Sequence, residues 1–184
     1  MYVGLGGILG QQFREDSRGA SLVELALALP ILIMLLVGTV SAAIAYNHQL
    51  ALTHASREGG RYAATLPVTN FASMEEWLGE IITQVVDDAT GTLDPGADGR
   101  WVCVAYVFPN GSVGTDQTAR RVLNGGTLGG IEPGQQCMTD GRPDTERRVQ
   151  VVVRRNSEFT VVFFSSNITL DSEGVSRFEA ALGT

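Results

Sequence analysis

The chain has 184 residues and a mass of 19.6 kDa, room for one modest domain and an additional segment. Its 20 acidic residues outnumber its 13 basic ones, a net charge of −7. That is the wrong sign for a phosphate backbone, so nucleic acid is excluded as a partner. Two cysteines and two histidines leave no material for zinc-finger, iron–sulfur or most multi-histidine metal sites.

Hydrophobic residues make up 44% of the chain but are unevenly spread, and the 22 residues from Leu25 to Tyr46 carry no formal charge. Residues 1–19 are Gly-rich and end in the charged knot Arg14-Glu15-Asp16-Ser17-Arg18. Residues 20–46 read as a transmembrane helix: 22 helical residues at about 1.5 Å each give roughly 33 Å, against a bilayer core of about 30 Å. Pro30 lies inside this run and removes one backbone donor, which predicts a kink of a kind that membrane helices tolerate. The helical pattern continues through residues 47–66, where Leu50, His54 and Arg57/Glu58 recur at three-to-four spacing. A polar stalk continuous with the membrane helix follows, weakened near its end by Gly59-Gly60.

Residues 67–184 read as an α+β head. Ser73-Met74-Glu75-Glu76 has the form of an N-cap with a capping box. Trp77, Leu78, Ile81, Ile82, Val85, Val86 and Ala89 then form an apolar stripe at helical period, and Gly91 closes the helix. Beyond Gly99 the period changes to two, in Arg100–Phe108 and Arg147–Arg155, and Glu158–Ser165 and Asn167–Leu170 continue the strands. Between them, residues 109–146 hold eight glycines and three prolines and read as one long loop. The expected fold is a long N-terminal helix continuing into a stalk, then a helix packed on a small antiparallel sheet.

Cys103 lies in a strand and Cys137 in the long loop, 34 positions apart. In an exported domain such a pair reads as a structural disulfide; Cys-x-x-Cys redox spacing is missing, and two unrelated buried thiols are the alternative. Glu24 stands at the mouth of the apolar run, where a carboxylate costs roughly 2.5–3.5 kcal/mol at full bilayer depth. Two readings are open. Glu24 snorkels to the interface, or, if the chain is cut between Gly19 and Ala20, the new α-amine four positions away on the helix neutralises Glu24 of a neighbouring subunit.

Gly19, followed five positions later by Glu24 and then by a continuous apolar segment, resembles the type III signal of type IV pilins and pseudopilins. More narrowly, RGASLVELALALPILIMLLVG followed by YNHQLALTHASREGGRYAA is similar to the TadE-like family of the tight-adherence (Flp-type) pilus system. The resemblance covers residues 17–64 and rests on the cleavage motif, the Leu-Pro inside the membrane helix and the stalk motif Ala55-Ser56-Arg57-Glu58-Gly59. It implies cleavage after Gly19 by a membrane prepilin peptidase on the cytoplasmic side. It implies partners among other pilin-like subunits and the pilus assembly platform in the membrane, and a role as a minor pilin or pseudopilin in a surface filament and adhesion. Position +1 is Ala20 rather than the Phe common in type IV pilins, and the leader is almost neutral. The implied location is a single-pass membrane protein, N-terminus cytoplasmic and head extracytoplasmic, that later enters a cell-surface filament.

A rival reading places a signal-peptidase cut after Ala43-Ile44-Ala45, giving a secreted or membrane-anchored extracytoplasmic binding module. The apolar run is longer than an ordinary signal peptide and lacks a net-positive flank, which disfavours it. Enzymatic chemistry has no support in the residues. No Gly-x-Ser-x-Gly, Walker-type or Cys/His constellation is present. His48 and His54 fall on different helix faces, so no metal or other cofactor is expected. Asp94 and Asp98 read as turn residues and Asp87-Asp88 as a solvated helix end, while Asn110-Gly111-Ser112 and Asn167-Ile168-Thr169 match the glycosylation sequon, a weak signal by itself.

Overall fold

A computed structural model describes residues 9–89, 91–94, 99–107, 118–143, 146–161 and 164–178, with side chains described from residue 19 onward. The side chains of the charged knot, Asp98 and the Asn110 sequon lie outside these residues. Helix α1 runs from Leu9 to Thr65, with Pro30 inside it, and α2 from Met74 to Asp88. Five strands follow: β1 (Trp101–Val107), β2 (Ala119–Asn124), β3 (Thr127–Pro133), β4 (Arg148–Val161) and β5 (Phe164–Arg177). They form one antiparallel sheet in the order β3-β2-β1-β4-β5. The fold is α+β, a long apolar helix with a second helix and a small sheet, as the hydrophobic periods predict.

The chain forms two compact units, Met1–Ala43 with Phe159–Ser166, and Ile44–Glu158 with Asn167–Thr184. The second unit holds the core. Ser73 begins α2 as its sequence indicates: its hydroxyl accepts from the Glu76 N–H at 3.2 Å, and the Glu76 carboxylate accepts from the Ala72 N–H at 2.9 Å. The stripe of α2 is buried, with Trp77, Leu78, Ile81, Ile82 and Val85 at 2% exposure or less. It packs on the sheet face that presents Val102, Val104 and Tyr106 from β1 and Val149, Val151 and Val153 from β4, all fully buried. The register pairs Val102 with Val153, Val104 with Val151 and Tyr106 with Val149, so one period-two pattern matches another across the ladder. Trp77, Tyr106 and Phe178 meet edge-to-face, with ring centroids 5.1–6.0 Å apart.

Two expectations require correction. Residues 109–146 are not one loop, because they contain β2 and β3. Asn124 pairs with Thr127 across a two-residue turn, and Gly125 takes the positive φ of 58° that such a turn favours. Arg121 ties this hairpin to α2 by donating to the Glu75 carbonyl at 2.6 Å and pairing with its carboxylate at 3.2 Å. Nor is the segment after residue 46 simply a polar stalk. Leu52, Ala55, Ser56, Gly59, Gly60, Ala63 and Ala64 are buried, while His54, Arg57, Glu58 and Arg61 on the other side are exposed. Gly59 does not weaken the helix end. A Cβ there would collide with a Val85 methyl, so glycine is what permits α1 and α2 to approach this closely.

Candidate functional site

The residues that the sequence marks for processing and assembly lie in the first part of α1. Gly19, Ala20 and Glu24 are all exposed, and a Cβ on Gly19 would meet no heavy atom within 4 Å. Ala20 and Glu24 stand one helical turn apart on one face. Among the described residues Glu24 has no ion-pair partner, although the apolar run after it offers no water once a bilayer surrounds it. That run is exposed from Leu25 to Leu36: Leu27 is 72% and Leu35 65% accessible, and none of the most apolar 18-residue stretch is buried by the protein itself. Aliphatic side chains so arranged need an apolar solvent or a partner. Helix α1 is the one helix among the described residues long and apolar enough to cross a membrane.

The second half of α1 supplies a seam rather than a site of chemistry. Its small residues bring the backbone close to α2 and β5. The Ser56 and Ser172 hydroxyls lie 3.0 Å apart, and the Gln49 amide donates to the Asp171 carbonyl at 2.7 Å. His48 is half-buried with Nδ1 3.4 Å from the Ser157 hydroxyl, while His54 is exposed, so the two histidines do not converge. Burial, reinforced by the nearby Arg155 charge, holds the His48 imidazole below its ordinary value.

The opposite face of the sheet carries a polar clamp that sequence reasoning missed. Cys103 of β1 is bonded to Cys137, with Cα atoms 5.8 Å apart. On the same face Gln150 and Arg148 of β4 alternate with the apolar core residues, and both are almost wholly buried. The Gln150 amide oxygen accepts from the Cys137 N–H at 3.1 Å, and its NH2 donates to the Met138 carbonyl and an Asp140 oxygen, each at 3.0 Å. The Arg148 guanidinium grips both Asp140 oxygens at 2.6 and 2.9 Å and donates to the Pro143 and Glu146 carbonyls at 3.1 Å. Burial works against the Asp140 charge, but the hydrogen bonds from Arg148, Gln150 and the Arg142 N–H outweigh it and hold the carboxyl below the usual carboxylate range. One signal was available in the sequence. Arg148 and Gln150 share a period-two face with Cys103 and Ala105, so a covered sheet face would bury them.

Among the described residues no group of three or more His, Cys, Asp or Glu side chains could hold a metal ion. Asp94 has the turn role its neighbours suggest, accepting from the Gly91 N–H at 3.1 Å.

An exposed helix near the N-terminus, long and apolar enough to cross a membrane, is consistent with a single-pass membrane protein. The family described as TadE-like protein matches residues 19–61, from the glycine before the apolar run into the small-residue seam. Residues 19–61 are thus similar to TadE-like proteins. No curated protein and no solved structure matches the chain.

Proposed function

We propose that this chain is a pilin-like subunit, a minor pilin or pseudopilin, with a structural or assembly role in a Tad/Flp-type surface filament and in adhesion. It is not an enzyme. The observation that carries the reading is the TadE-like match beginning at Gly19 and running through an exposed apolar helix that opens with Glu24. In this reading the leader stays cytoplasmic, a prepilin peptidase cuts between Gly19 and Ala20, and the α+β unit is exported, where Cys103 and Cys137 oxidise. The freed α-amine of one subunit then neutralises Glu24 of its neighbour in low dielectric, where the attraction is far stronger than in water. Other pilin-like subunits and the membrane assembly platform are the partners.

The mature N-terminus tests this. Intact mass and N-terminal sequencing of protein from its native membrane should return a chain beginning at Ala20. A chain that begins at Met1, or near Tyr46 after a signal-peptidase cut at Ala45, would replace the pilin reading with an anchored or secreted binding module.

A further inference from the structure

The apolar part of α1 and the facing ends of β4 and β5, Phe159–Ser166, belong to the same compact unit. The Ser41 hydroxyl donates a 2.7 Å hydrogen bond to the Thr160 carbonyl, which holds this end of the paired strands beside α1 at the level of Ser41. Ser41 falls inside the uncharged run Leu25–Tyr46, six residues before Asn47. At about 1.5 Å per residue Ser41 therefore sits roughly 9 Å on the apolar side of Asn47. The run is about 33 Å long against a bilayer core of about 30 Å, so Asn47 lies near the edge of the core and Ser41 lies inside it. A bilayer that covers the whole run therefore also reaches the strand ends.

The chemistry of the strand ends suits that depth. From Phe159 to Leu170 no residue carries a charge, and Glu158 and Asp171 bracket the stretch. Outside α1 the described residues include two large exposed hydrophobics, Leu128 and Phe164, and Phe164 is the more exposed at 59%. Its exposed ring offers apolar surface that a leaflet at this depth can cover. Tyr46, 64% exposed, marks the same boundary on α1 with the kind of ring found at membrane–water interfaces. Pairing between β4 and β5 satisfies the backbone groups along their shared edge, and the Ser41 hydroxyl satisfies the Thr160 carbonyl.

We propose that the paired ends of β4 and β5, with Phe164 outermost and Phe159 and Val161 half-buried, form a membrane-dipping element. Phospholipid acyl chains of the leaflet at the C-terminal end of the apolar helix cover Phe164. The chain then contacts the bilayer twice, deeply through α1 and shallowly through the sheet. This rests on α1 spanning a bilayer, and it adds a lipid contact that a pilin-like role does not require.

The test uses the full chain reconstituted in phosphatidylcholine vesicles, with bromine on the acyl chains at shallow or deep positions. Phe164→Trp reports the strand end and Leu35→Trp the middle of the helix, each read as the difference from the parent, whose own emission comes from the fully buried Trp77 and the half-buried Trp101. An intact Cys103–Cys137 peptide pair in each variant verifies the fold, and Thr160→Trp is a second reporter if Phe164→Trp fails that check. The expected result is a blue-shifted emission for Phe164→Trp that is quenched most by shallow bromines, while Leu35→Trp is quenched most by deep ones. Quenching of Leu35→Trp with unquenched, water-like emission at position 164 would overturn the proposal and leave the membrane helix standing. A blue shift at 164 that needs a high protein-to-lipid ratio and shows no bromine quenching would assign the covering to a second copy and overturn it equally. If neither reporter is quenched, the membrane reading of α1 falls and the proposal with it.

Discussion

Gly59 of α1 and Val85 of α2 are in such close contact that a single added methyl group on Gly59 would overlap the Val85 side chain. The contact joins the end of the TadE-like segment to the core of the α+β unit, since Val85 is fully buried beside Trp77 and Ile81. The motif Ala55-Ser56-Arg57-Glu58-Gly59 therefore has two faces: Ala55, Ser56 and Gly59 pack inward, whereas Arg57 and Glu58 meet solvent.

Gly59→Val should destabilise the α+β unit by about 1–3 kcal/mol, the usual cost of overpacking a filled core. Arg57→Ala, two residues away on the exposed face, should stay within about 0.5 kcal/mol of the parent. Denaturant midpoints of the two variants side by side check this, and equal midpoints would show that the seam yields to the extra atoms.

Trp77 is the largest fully buried side chain, touches Tyr106 and Phe178 edge-to-face, and donates its indole N–H to the Leu66 carbonyl at 3.1 Å. Trp77→Ala removes the ring, its contacts and a buried donor together. A loss of about 3–5 kcal/mol is expected. An unchanged melting temperature would mean that the stripe on α2 does not form the core.

The Asp140–Arg148 pair makes the α+β unit sensitive to acid. The folded Asp140 carboxyl titrates below its unfolded value, so its contribution is fully present above the ordinary carboxylate range and is lost as pH falls through the lowered folded value. Asp140→Asn should cost about 1.5–3 kcal/mol at neutral pH, the range for hydrogen bonds to charged groups. It should also flatten the acid limb of the stability profile relative to the parent. Parallel acid limbs from urea melts at stepped pH would exclude Asp140 as the responsible group.

Gly19 and Glu24 separate processing from assembly. Gly19→Val should leave a full-length precursor in the membrane, because a branched side chain crowds the scissile bond. Glu24→Ala should still be cut yet fail to enter filaments. An immunoblot for the leader-length mobility difference, paired with a sheared-filament fraction, reads both. If both variants are processed and assemble like the parent, the helix is an anchor and the pilin-like role is wrong.

Several features of this chain are legible because the information is local. The capping residues Ser73 and Glu76, the α2 stripe and the alternation in β1 and β4 each report on neighbours within a few positions. The β2–β3 hairpin carried its own local signal in Asn124-Gly125, but the surrounding glycines made residues 109–146 resemble plain turn material. What holds that hairpin is distant, namely Arg121 reaching Glu75 across 46 positions. The strand pattern puts Arg148 and Gln150 on one face but does not say what covers that face. They are buried because the chain from Gln136 to Pro143 folds back over them, held by Cys137 and Asp140.

The sequence by itself determined that residues 25–46 leave water, because a run of that length without charge loses too much free energy in water whatever the rest of the chain does. It also determined the α+β composition, since periods of 3.6 and 2 are properties of the chain alone. Only the tertiary structure decided that α1 serves two units and that its small residues after Ala45 are core. It alone placed Thr160 beside Ser41, 119 positions away in the chain. A glycine or serine is indifferent to its surroundings until another backbone comes close. Its role therefore follows from which element arrives there, and that choice is made by packing rather than by local pattern.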